Sequence, residues 1–135
     1  MNIYLKLDYF AKELGFTELV IAPAESLEEE VEILKRWNDK GYNASMKWLE
    51  KNYDKRADLQ KVLPDVKSII VLAHNYYHNS KENYPQNIRE FGKISIHAQG
   101  YDYHTVIKEK LLKVGAYLSE LICPVQYRSY VDTGP

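Results

Sequence analysis

Five aliphatic residues stand in a row at Ile69-Ile70-Val71-Leu72-Ala73, the longest such run in a chain of 135 residues. The run is far short of the ~20 apolar residues a membrane span needs, and too uniformly apolar for a strand with one wet face. It reads as a central strand covered on both sides, and such a strand obliges the rest of the chain to supply the cover. Two helical patterns do so. Ile3, Leu7, Phe10, Ala11 and Leu14 recur at helical spacing ahead of a Gly15 stop. Ile107, Leu111, Val114, Leu118 and Leu121 line a longer helix that opens after Gly100 with Asp102 as cap and closes before Pro124. Between them, Ser26 with Glu29 predicts a capping box for a second helix carrying Leu27, Val31, Leu34 and Trp37 as far as Gly41, and Asn43 caps a short third with Met46, Trp48 and Leu49. Further strands are predicted at 16–22, 93–98 and 127–131, and a polar surface loop at 79–87. The expected fold is α/β or mixed α+β: a sheet of about four or more strands covered by helices, in one domain spanning 1–135.

Apolar residues at 45% and charged residues at 27% are ordinary globular values, which excludes disordered, collagenous and coiled-coil classes. The single cysteine, Cys123, makes no internal disulfide and cannot alone hold a four-cysteine zinc or iron–sulfur site; a small buried hydrophobe near a helix end is expected there. Lys6 and Asp8 interrupt any signal-peptide core, so the expected location is the cytoplasm, away from membrane. A net charge of −1 gives no global attraction to nucleic acid, and any RNA contact must be local. From Lys35 to Lys67, nine Lys/Arg stand against five Asp/Glu, a local +4 that suits either an anionic partner or a solvated face with interspersed pairs. Twelve tyrosines include clusters at Asn75-Tyr76-Tyr77-His78 and Gly100-Tyr101-Asp102-Tyr103-His104, which suit a partly wet pocket wall or a core edge. His74 and His78 have the spacing of helical metal ligands but follow a strand, so no metal site is read there. No Gly-rich nucleotide motif occurs. The chain ends Asp132-Thr133-Gly134-Pro135, turn chemistry that expects a continuing polypeptide.

In order along the chain, five stretches carry a resemblance. They are Gly41-Tyr42-Asn43-Ala44-Ser45-Met46-Lys47-Trp48-Leu49; Arg56; Leu63-Pro64 through Ser68-Ile69-Ile70-Val71-Leu72 to Asn75-Tyr76; Gly100-Tyr101-Asp102-Tyr103-His104; and Val131-Asp132-Thr133-Gly134-Pro135. Together they resemble the amino-terminal half of the cobalamin-dependent, iron–sulfur epoxyqueuosine reductases, which finish queuosine in the anticodon loop of certain transfer RNAs. The resemblance implies cobalamin as cofactor, 4Fe-4S clusters in a following ferredoxin-like domain, an external electron donor and the tRNA anticodon loop as partner. Reducing an epoxide to an alkene takes two electrons and two protons and expels the oxygen as water, so an acid must protonate the departing oxygen. Asp132 matches that acid, expected at a strand end where burial raises its pKa; without the resemblance it reads as a turn cap.

The resemblance also implies cofactor contacts at Asn75, Tyr76, Tyr103, His104 and Thr133, and substrate contacts at Met46, Lys47 and Arg56, with no metal ligand. Read alone, Tyr103 and His104 are aromatic packing at a capped helix start, and Met46 is ordinary core. The sequence departs from the family at Ile96-His97-Ala98, where an Arg-Tyr-Ala segment is usual. Without the cluster domain, the isolated chain is not expected to turn over. The alternatives are a corrinoid-dependent reductase of another substrate, similar to reductive dehalogenases, and a non-catalytic module that binds a corrinoid or RNA.

Overall fold

The computed structural model describes residues 2–77 and 94–132. Its elements are α1 (Ile3–Glu13), β1 (Glu18–Pro23), α2 (Glu28–Asp39), α3 (Tyr53–Ala57), β2 (Ser68–Ala73) and α4 (Tyr103–Leu121), with 3-10 turns at Lys47–Glu50, Leu59–Lys61 and Ile96–Ala98. β1 and β2 pair into a two-stranded sheet. The Thr17 amide donates to the Ala73 carbonyl at 2.8 Å and the Ala24 amide to that of Lys67 at 3.1 Å, so the two strands run antiparallel. The chain divides into two compact units, one of residues 1–19 with 72–131, the other of 20–71 with 132–135.

In the first unit, α1 starts where Asn2 Oδ1 accepts the Tyr4 amide at 3.1 Å and stops where Gly15 takes φ +87°, a conformation that favours glycine. Its apolar stripe buries Leu7 and Ala11, and Phe16, Leu19 and Val114 complete the buried core. Phe10 and Tyr117 carry the packing of α1 on α4, their ring centroids 4.4 Å apart. Leu7 is 1% exposed, so truncating it to alanine would cost about 2–5 kcal/mol. In the second unit, α2 buries Val31, and Asn43 is buried on the loop that follows α2.

Several expectations are corrected. The sheet of four or more strands is a sheet of two among the described residues. Residues 94–98 satisfy themselves locally instead of pairing: Ser95 Oγ meets His97 Nδ1 at 2.8 Å, Gln99 Nε2 donates to the Ile94 carbonyl at 2.6 Å, and Ile96–Ala98 is a 3-10 turn. Residues 127–131 are irregular. β2 is not covered on both faces by the described residues, since none of its six residues is buried and Val71 is 56% exposed. The capping box at Ser26 is absent: Leu27, not Ser26, is the N-cap of α2, with no side-chain cap hydrogen bond, and Ser26 Oγ and the Leu27 amide both donate to the Ala57 carbonyl, at 3.4 and 2.9 Å. The third helix shrinks to the 3-10 turn Lys47–Glu50, because Asn43 turns its amide inward to Glu50 Oε1 at 2.6 Å. Cys123 is exposed, not buried. The loop expected at 79–87 lies outside the described residues.

Candidate functional site

The first unit brings three separated segments together through their rings. Tyr76, just past the end of β2, meets His97 edge-on at 5.9 Å, and His97 meets Tyr103 at 6.3 Å. Tyr103 stacks on His104 at 4.1 Å and 29°. Asp102 places this pair: it caps α4 by accepting the His104 amide at 3.0 Å, and the same Oδ1 takes the His104 Nδ1 proton at 2.9 Å. The hydrogen bonds from His104 hold the Asp102 carboxyl below its ordinary range. They also fix the tautomer in which Nε2 is the basic nitrogen of His104. The result is a row of ring faces and edges beside the N-terminal end of a 19-residue helix, whose first-turn amides at His104, Thr105 and Val106 are taken by Asp102. Tyr76 is 61% exposed and Tyr101, one residue before the cap, 91%. Asn75 stands beside it with Oδ1 accepting the Tyr77 amide at 2.9 Å.

A second polar pair underlies this end of β2. Lys110 Nζ donates to His74 Nε2 at 2.7 Å, and Phe16 meets the His74 ring edge-on at 5.7 Å. Partial burial, then the Lys110 charge, lowers the His74 pKa below its ordinary 6.5, which keeps the ring neutral and able to accept. Sequence reasoning passes over Lys110 and names His97 only within the departure at Ile96-His97-Ala98. Lys110 was visible as a cation three residues after Ile107 and four before Val114, inside the apolar stripe of α4. His97 is visible in the sequence as the one ring of the segment Ile96-His97-Ala98.

The other sequence-derived residues lie in the second unit. Met46 and Lys47 open the 3-10 turn Lys47–Glu50 with exposed side chains, and half-buried Arg56 on α3 donates from Nε to the Lys51 carbonyl at 3.3 Å. Asp132 is exposed, unlike the buried position expected at a strand end, and its φ of +36° is in the left-handed region that non-glycine residues adopt at a cost. Thr133 and His78 lie outside the described residues. Among the described residues, no group of three metal-ligating side chains converges.

Comparison with known proteins places these features. A family profile described as epoxyqueuosine reductase QueG, DUF1730, matches residues 56–133. The epoxyqueuosine reductase of Cellulophaga algicola is 39% identical over 127 residues, covering 93% of this chain and 39% of that protein. That of Cyclobacterium marinum is 39% identical over 125 residues, again 93% of this chain and 39% of the relative. The solved epoxyqueuosine reductase from Streptococcus thermophilus superposes with a TM-score of 0.84 at 28% identity, covering 99% of this chain and 36% of its own. The chain therefore spans about two fifths of the length of the relatives it matches. The profile takes in the ring row, Arg56 and Asp132, and with more than half of its residues matched the chain belongs to the epoxyqueuosine reductase QueG family, DUF1730.

Proposed function

We propose that this chain is the cofactor- and substrate-binding part of an enzyme that reduces epoxyqueuosine to queuosine in the tRNA anticodon loop. The observation that carries this reading is 39% identity, over 93% of the chain, to a protein named epoxyqueuosine reductase. The residues present fit cobalamin: tyrosine and histidine rings gathered in one row suit the apolar faces of a corrin, and Asn75 at its side suits the corrin's amides. Cobalamin, when bound, supplies the low-valent cobalt that carries electrons to the substrate. The electrons themselves must come through 4Fe-4S clusters on polypeptide beyond these residues, fed by an external donor, since one cysteine cannot ligate a cluster.

The chain's own contributions are positioning and protons. Tyr76, Tyr103 and His104, held through His97 and Asp102, orient the cofactor, with Asn75 beside them, and the resemblance adds Thr133 to the cofactor contacts. Asp132 gives a proton to the departing epoxide oxygen; with a second proton and two electrons, that oxygen leaves as water and the carbon–carbon double bond forms. Asp132 lies at an exposed position, and its left-handed backbone is the kind of strain that folded chains keep where a side chain must point one way. Met46, Lys47 and Arg56 meet the RNA. The reaction belongs in the cytoplasm with its tRNA; no helix among the described residues is long and apolar enough to cross a membrane.

The test has two arms. Titrating the chain with cobalamin should give a saturable change in the visible spectrum, and no change in large excess would overturn the cofactor assignment. In a chain extended to the relatives' full length, Asp132→Asn should keep that spectrum and abolish epoxide reduction; unchanged turnover would remove Asp132 from its role.

A further inference from the structure

The loop that follows α2 inverts the usual distribution of side chains. It is built tightly. The Gly41 amide donates to the Asn38 carbonyl at 2.8 Å with φ +73°, and Asn38 Nδ2 donates to the Leu49 carbonyl at 3.0 Å and to Tyr53 Oη at 2.6 Å. Asn43, only 3% exposed, donates to Glu50 Oε1 at 2.6 Å, while its carbonyl accepts the Met46 amide at 2.8 Å. Two asparagine amides are thus spent on holding the loop's shape. The large side chains are turned out instead: Tyr42 is 60% exposed, Trp48 55% and Met46 40%. A rigid loop that buries an amide and presents a tryptophan and a tyrosine marks a contact surface.

The surroundings say what kind of contact. Trp37 meets Tyr42 edge-on at 6.2 Å and 70°, which steadies the tyrosine ring, and Lys40 Nζ lies 5.9 Å from its centroid. Lys40, Lys47 and Lys51 are exposed on the same loop, and its one acid, Glu50, is engaged by Asn43. Exposed rings ask for another flat π system, and lysines on the same loop ask for a chain of phosphates. An unpaired stretch of nucleic acid offers both, whereas a duplex hides its base faces.

We propose that Tyr42 and Trp48 form a stacking platform for unpaired RNA bases, with Lys40, Lys47 and Lys51 against the backbone phosphates. This deepens the proposed function by naming the surface that meets RNA, and rests on that reading only in choosing RNA over DNA. The test uses the chain itself and three labelled probes: an unmodified RNA stem–loop, the same sequence fully paired, and its DNA counterpart, followed by fluorescence anisotropy at several salt concentrations. The RNA stem–loop should bind more tightly than either of the others. Trp48→Ala and Tyr42→Ala should each weaken it by about 5- to 150-fold, the range of one lost stacking contact, while Trp48→Phe keeps most of the affinity. Lys47→Gln should reduce the slope of log affinity against log salt by about 0.7. Circular dichroism of Trp48→Ala should match the parent, the ring being mostly in solvent.

No binding of the stem–loop, equal binding of the duplex, or unchanged binding by both alanine variants would overturn the platform. Equal binding of the DNA probe would overturn the choice of RNA. None of these readouts involves cobalamin, so a normal cobalamin titration beside a failed RNA titration would sink this surface and leave the reductase reading standing.

Discussion

Gly115, buried in the middle of α4, is where a single methyl group tests the packing of the first unit most directly. On helix propensity alone, Gly115→Ala should stabilise the chain by about 1 kcal/mol. The structure reverses that sign. A Cβ built on Gly115 would lie 2.8 Å from Cδ2 of Tyr127 and closer still to Cε2 and Cζ, so the ring lies flat on the space a methyl group needs. Tyr127 is 37% exposed; a tyrosine buries roughly 150–250 Å² when fully covered, so about 100–150 Å² of this ring is sheltered. Displacing it forfeits up to about 2.5–4 kcal/mol at the usual area coefficient, an upper bound because the unfolded chain also shelters some of it. Against the propensity gain, a net loss of about 2 kcal/mol follows, roughly 6–10 °C in Tm for a domain of this size. Thermal melts of Gly115→Ala, Tyr127→Ala and the double variant form the assay. In the Tyr127→Ala background the same glycine substitution should become stabilising by about 1 kcal/mol, because nothing then occupies the space. A rise in Tm for Gly115→Ala in the parent chain would refute the reasoning, since it would show that the ring swings aside at no cost.

Two further predictions concern groups at the candidate site. His74 is held neutral by partial burial and by Lys110, with its pKa below 6.5, so the unfolded chain binds a proton that the folded chain refuses; stability is unaffected at higher pH and should fall as the pH drops below about 6.5. His74→Gln should flatten the dependence of Tm on pH between about 5 and 7, and an unchanged slope would place the acid sensitivity elsewhere. At Asp132, with φ at +36°, Asp132→Val should lower the free energy of unfolding by about 1–2 kcal/mol and Asp132→Gly by none, as read by urea denaturation; equal losses for the two would contradict a left-handed backbone there.

What could be read from the sequence was whatever a short window decides. The helices α1, α2 and α4 follow from apolar spacing, the stop after α1 from a glycine that takes φ +87°, and the cap of α4 from an aspartate whose carboxylate does accept the His104 amide. What failed was each inference in which a distant group outbid the local one. Ser26 has the right neighbours for a capping box, yet the carbonyl of Ala57, 31 residues away, takes its hydroxyl. Residues 127–131 read as a last strand, but Tyr127 spends its ring on Gly115 of α4. The candidate site divides in the same way. The Asp102–His104 pair is two residues apart and was readable, while Tyr76, His97 and Tyr103 share a row only because β2, the turn Ile96–Ala98 and α4 end near one another. The departure from the family at Ile96-His97-Ala98 gains a meaning from that row. With an isoleucine at the first position the arginine's charge is missing, but His97 keeps a ring between two tyrosines, so the wall is continuous.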